Sequence, residues 1–139
     1  MKNRPQAPPA KTKAWRGITE ADIQPTCTEY LELDGWRALR TDPCSDRSRA
    51  KGFGELGMAD HLYIRYSKGG TPQAKPSQAE VLWVEYKGPK GEPSQHQMTW
   101  HYAERARGAL TVIMGIDCDR SIEGFLAWYR ASGLNRGKV

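Results

Sequence analysis

Cysteine is scarce in this 139-residue chain: Cys27, Cys44 and Cys118 are far apart and odd in number. They make no disulfide framework and no C-x-x-C, which argues against a zinc finger and points to a reducing, cytoplasmic setting. Long apolar runs are also missing. The longest cover residues 81–84 and 109–116, the second broken by Gly115, whereas a membrane-spanning helix needs ~20 such residues. The N-terminal MKNRPQAPPAKTK has no apolar segment of the signal-peptide kind. No P-loop occurs, and no nucleotide cofactor is expected. No internal repeat is visible.

Acid is absent from residues 1–17, which hold Lys2, Arg4, Lys11, Lys13 and Arg16. The whole chain has 21 basic and 16 acidic residues, a net charge of +5. The remainder is therefore formally neutral, and any nucleic-acid site there must be a local patch rather than a global field. Residues 1–17, with Pro5, Pro8 and Pro9, read as a disordered basic arm, and residues 18–139 as one folded domain.

Along that domain, Thr19 and Asp22 form a capping box with Asp in place of Glu. Ile23, Cys27, Tyr30, Leu31 and Asp34 follow on one helical face, and Gly35 ends the run. Pro25 sits near its second turn and costs a backbone hydrogen bond, so the helix either bends there or begins at Pro25. Strands are expected at 36–40, 58–66 and 80–87, the last being the strongest. Ser94 and Gln97 make an S-x-x-Q capping box that opens a helix over 95–107. Met98, Tyr102 and Ala106 are expected on its inward face. A buried strand at 109–116 and a helix at 121–131 complete the order: helix, three strands, helix, strand, helix. This is an α/β layout around one mixed sheet.

The chemistry concentrates at the end of the third strand. Glu85 and Lys87 are two apart, so both side chains leave the same face, ~7 Å apart. The strand then breaks at Gly88, Pro89, Lys90 and Gly91. Upstream, the string Gly57, Met58, Ala59, Asp60 sets a second carboxylate at the start of the preceding strand. Antiparallel pairing would bring Asp60 beside Glu85. Two such carboxylates suit a hard cation such as Mg2+ or Mn2+. Such an ion lowers the pKa of bound water and neutralises charge on a phosphodiester. Lys87 would then hold the attacking water or stabilise the transition state. An E-x-K pair is equally the pattern of solvated surface charges on a strand, and both readings stand at this point.

Other residue sets are weaker. His96 and His101 are five apart, not at the helical zinc spacing, and His61 lies on the strand face opposite Asp60; all three histidines read as surface or structural. Lys90, Arg105 and Arg107 follow the site and suit phosphates, although a solvated helix face explains the two arginines equally. Trp15 and Trp36 could stack on bases, but packing is the simpler reading.

The motif string G-M-A-D…V-L-W-V-E-Y-K-G-P-K-G-E-P-S-Q-H-Q resembles the virus-type replication-repair nuclease (VRR-NUC) group of the PD-(D/E)XK superfamily. The matching positions are Gly57 and Asp60, Glu85 and Lys87, the loop Pro89-Lys90-Gly91, and Ser94 with Gln97. Residues 19–24 resemble the family's first helix, with a further acid at Glu20. The resemblance spans roughly residues 18–134. It implies a restriction-endonuclease-like αβββαβ core and metal-dependent DNA hydrolysis. Asp60, Glu85 and the backbone carbonyl of Tyr86 would hold Mg2+ or Mn2+. Glu20 would contribute directly or through water, Lys87 would act on the nucleophile, and Gln97 would face the site. Arg40 resembles a basic, DNA-contacting position, as does Lys90 in the loop. Ala59 stands where the family often has proline, and Pro25 falls within the helix that carries Glu20. Stand-alone members resemble Holliday junction resolvases, which implies branched DNA as substrate and a homodimer. The alternative is a non-catalytic, nuclease-like DNA-binding subunit of a larger repair or packaging complex.

Overall fold

The computed structural model describes residues 17–41, 54–66 and 78–139. The basic arm lies outside them except for Gly17, as do Cys44 and most of the two long loops. The elements are α1 (Glu20–Leu33), β1 (Arg37–Arg40), β2 (His61–Tyr66), β3 (Ala79–Glu85), α2 (Gln95–Ala106), β4 (Leu110–Ile113) and α3 (Ile122–Ala131). The sheet runs β1-β2-β3-β4. Its first two pairings are antiparallel and β3–β4 is parallel. The chain is thus an α/β domain with a mixed sheet, in the order expected from its sequence. A parallel pair needs a crossover, and α2 is that crossover.

Helix α1 begins where the sequence marks it. The backbone N–H and the hydroxyl of Thr19 both donate to Asp22 Oδ2, at 2.9 and 3.0 Å. The helix runs through Pro25 without ending, and Pro25 lies on its exposed side. A ring turned to solvent clashes with no neighbouring element, so only the local hydrogen bond is lost. Gly35, at φ +92°, lets the chain leave the helix.

Strand alternation divides the sheet into two faces. One face carries Tyr63, Leu82, Val84, Tyr86 and Val112, packed with Ile23, Cys27 and Leu31 of α1 and Phe125, Leu126 and Tyr129 of α3. Tyr63 and Tyr86 are buried in this core, so their hydroxyls need partners. They bond each other at 2.7 Å, and Tyr63 also meets the Thr28 hydroxyl at 2.8 Å.

The other face carries Trp83, Glu85, Thr111 and Ile113 beneath α2. The inward side of α2 differs from the expected one. Trp100 and His101 are buried, while Tyr102 is 47% exposed and Ala106 is exposed. The physical reason lies in the sheet below. Trp83 takes the Trp100 ring edge-on at 5.0 Å, and the neighbouring Glu85 calls for hydrogen-bond donors rather than methionine or alanine. Among the described residues no helix is long and apolar enough to cross a membrane.

At the far end of the sheet the C-terminal segment is pinned by a buried charge network. Arg65 Nη1 donates to Asp34 Oδ2 at 3.0 Å, and its Nη2 to Glu80 Oε2 at 2.6 Å and the Leu134 carbonyl at 2.8 Å. The guanidinium stacks over the Trp36 ring, 4.3 Å from its centroid. Trp36 is itself 3% exposed and donates to the Tyr129 hydroxyl. It is a packing residue and presents no face for base stacking.

Candidate active site

Three segments meet at the C-terminal end of β3, and glycines let them meet closely. Gly57 has φ +79°, and a Cβ there would lie 2.1 Å from the His96 carbonyl oxygen. The turn before Asp60 therefore rests directly on the first turn of α2, where only glycine fits. Trp100 Nε1 donates to Glu55 Oε2 at 2.7 Å and ties the same turn to the helix. On the other side, a Cβ on Gly88 would lie 3.1 Å from the backbone nitrogen of Glu20. The first turn of α1 thus abuts the loop that follows Lys87. That loop closes through Gly91 N–H to the Gly88 carbonyl at 2.9 Å.

Glu85 is the centre of this arrangement and is 2% exposed. Burying a carboxylate is costly unless donors surround it. Gln97 Nε2 donates to Oε1 at 2.7 Å. Lys87 Nζ lies 3.6 Å from the same oxygen. His101 Nε2 lies 3.4 Å from Oε2. Gln97 has two tasks. Its side-chain oxygen accepts from Ser94 N–H at 2.8 Å and closes the capping box, while Ser94 Oγ accepts from Gln97 N–H at 3.1 Å. A glutamate could cap equally well but would set a second carboxylate against Glu85. The choice of Gln at this capping position follows from the site, not from the helix.

Asp60 stands one residue before the His61–Val84 pair, so the register continued by one step sets it opposite Glu85. Its carbonyl accepts from Thr41 N–H at 3.1 Å, which continues the β1–β2 ladder through this point. His61 points to the other face, against Tyr86 at 5.0 Å. Burial pushes the His61 imidazole below its ordinary range, with Arg40 acting the same way and Asp60 opposing.

The remaining candidates sit around this centre at different distances. Tyr86 lies between Glu85 and Lys87, with its ring in the opposite core. Glu20 is held at the start of α1 by Gln24 Nε2 at 2.9 Å. Glu20 and Lys90 line a cleft of roughly 470 Å³ between the start of α1 and the 88–91 loop. Arg40 is exposed at the same end of the sheet, paired in register with His61. Arg105 is engaged elsewhere: it donates to the Thr111 hydroxyl at 2.7 Å and to Asp117. Arg107 pairs with Glu104 on the helix surface. These two arginines behave as structural and surface groups.

His101 is the residue that sequence spacing did not single out for this site. Its signal was the four-residue interval from Gln97, which sets both side chains on one helical face.

Among the described residues no group of three or more His, Cys, Asp and Glu side chains converges to hold an ion. A closed cage of the zinc or calcium kind does not fit. Mg2+ is commonly bound by one or two carboxylates, with water and substrate phosphate completing its shell. The donors here, Asp60, Glu85 and a backbone carbonyl, are of that hard-oxygen kind. Comparison with family models, with curated proteins and with solved structures finds no match in any of the three.

Proposed function

We propose that this chain is a metal-dependent DNA endonuclease that uses Mg2+ or Mn2+, acts on branched DNA such as Holliday junctions, and works as a homodimer. The observation that carries this reading is the buried Glu85 carboxylate with Lys87 Nζ 3.6 Å away and Asp60 opposite it in register. A simple surface ion pair does not require a carboxylate at 2% exposure. The motif resemblance supports the same reading independently of the fold.

Asp60, Glu85 and the Tyr86 carbonyl would hold the cation, with Glu20 contributing directly or through water. The ion would supply an activated water and charge neutralisation at the phosphodiester. Lys87 is tethered to Glu85 and only 13% exposed at its side chain. That leaves its ammonium to orient the nucleophile and to offset charge developing on phosphorus-bound oxygens. Gln97 fixes one Glu85 oxygen, so the carboxylate keeps its orientation when substrate arrives. Lys90 and Arg40, both exposed, would meet backbone phosphates on either side.

The test is a panel of four-way junction, flap, linear and supercoiled DNAs incubated with Mg2+ or Mn2+, or with chelator. Cleavage that needs the ion, favours the junction and disappears in Asp60→Ala is the expected result. Full cleavage by Asp60→Ala sinks the assignment. DNA binding with no cleavage of any substrate favours a non-catalytic binding subunit.

A further inference from the structure

We propose that His101 is a positioning residue for Glu85: a buried imidazole donating its Nε2–H to Oε2. The inference rests on the metal-nuclease reading only for its functional consequence, not for its geometry. His101 is fully buried, so it touches neither substrate nor solvent. Its Nε2 faces Glu85 Oε2 at 3.4 Å, and its Nδ1 is buried without a partner among the described residues.

Those two facts call for a hydrogen on Nε2 by donor and acceptor bookkeeping. With the proton on Nδ1, a buried N–H would be orphaned and a bare lone pair would face a carboxylate. A hydrogen on Nε2 pairs donor with acceptor at Glu85 Oε2. The Trp100 ring meets the imidazole edge-on at 5.0 Å. Fully buried, the ring acts on substrate only through Glu85.

The carboxylate is therefore held on both oxygens from α2. Gln97 and Lys87 hold Oε1, and His101 holds Oε2. Groups that orient a metal ligand in this way commonly change ion affinity by about 10–100-fold when removed.

The first measurement is metal-free. Nitrogen-15 NMR of the wild-type imidazole should report a hydrogen on Nε2 of His101, and a bare Nε2 overturns the proposal. The second is Mn2+ titration calorimetry of wild type, His101→Gln and His101→Phe, each with its unfolding midpoint recorded. His101→Gln retains an amide donor and should bind Mn2+ within about threefold of wild type. His101→Phe fills the pocket without a donor and should bind about tenfold more weakly or worse, with metal-free DNA affinity unchanged. Equal Mn2+ affinity in a folded His101→Phe, or equal loss in both variants, overturns the positioning role. Should wild type and Glu85→Ala bind Mn2+ alike, the metal-nuclease reading fails, and the Nε2 hydrogen still decides the His101 claim.

Discussion

Replacing Gly57 by alanine should damage this protein far more than its surface position suggests. Two separable costs meet there. The φ of +79° is a left-handed conformation, which costs an L-residue about 1 kcal/mol or somewhat more. The added Cβ would also lie 2.1 Å from the His96 carbonyl oxygen and 2.4 Å from its carbon, so backbone must move. Overpacking of that kind adds roughly 1–3 kcal/mol. Gly108→Ala is the internal control, since its φ is +99° with nothing within 4 Å of the new Cβ. It should show the conformational cost alone. At about 3–4 °C per kcal/mol for a domain of this size, Gly57→Ala should lower Tm by about 10 °C and Gly108→Ala by about 3–4 °C. Thermal unfolding by circular dichroism reads both. Equal losses in the two variants would refute the claim that the turn before Asp60 rests on α2.

Other perturbations have equally definite outcomes. Burial pushes the Asp34 carboxyl up, but hydrogen bonds from Tyr129 and the Arg136 backbone, with the Arg65 charge, hold it below its ordinary value; Glu80 is likewise lowered against burial, by Arg65 and Arg136. Lowered folded-state values mean stability that is full above the ordinary carboxylate range and is lost as pH falls through and below about 4. Unfolding midpoints across pH 2–7 should show this loss, and Asp34→Asn should reduce it while costing roughly 1.5–3 kcal/mol, because Arg65 loses one of its two carboxylates and keeps Glu80. Gln97→Glu keeps the helix cap but opposes a second carboxylate to Glu85. Its destabilisation should grow from pH 5 to pH 8, and a flat difference would remove Gln97 from the site. Deleting residues 1–17 should reduce the salt slope of DNA binding by about 4–5 if all five charges meet phosphates, with cleavage chemistry unaltered. An unchanged slope makes the arm a passive tail.

The elements of the fold were readable where local chemistry and tertiary packing agree. Thr19 with Asp22, Ser94 with Gln97, and Gly35 mark helix ends by hydrogen bonds and backbone freedom that need no partner element. The antiparallel pairing that sets Asp60 opposite Glu85 followed from a strand start and a strand end, because period-2 geometry leaves little choice of register. The inward face of α2 was not readable from apolar spacing. That rule equates burial with hydrophobicity, and α2 covers a buried carboxylate, so its inward residues are Gln97, Trp100 and His101. Pro25 looked like a helix boundary because the rule carries no information about which side of α1 faces solvent. Arg105 looked like a phosphate ligand because its partners, Thr111 and Asp117, lie on other elements.

The most direct test is single-turnover cleavage of a four-way junction by wild type and Lys87→Ala, at saturating protein with Mg2+. Lys87 is assigned to the transition state, so the rate constant should fall by about 100-fold or more, while the junction Kd stays within about threefold. Cleavage by Lys87→Ala at the wild-type rate would contradict the assignment of this site as a nuclease centre.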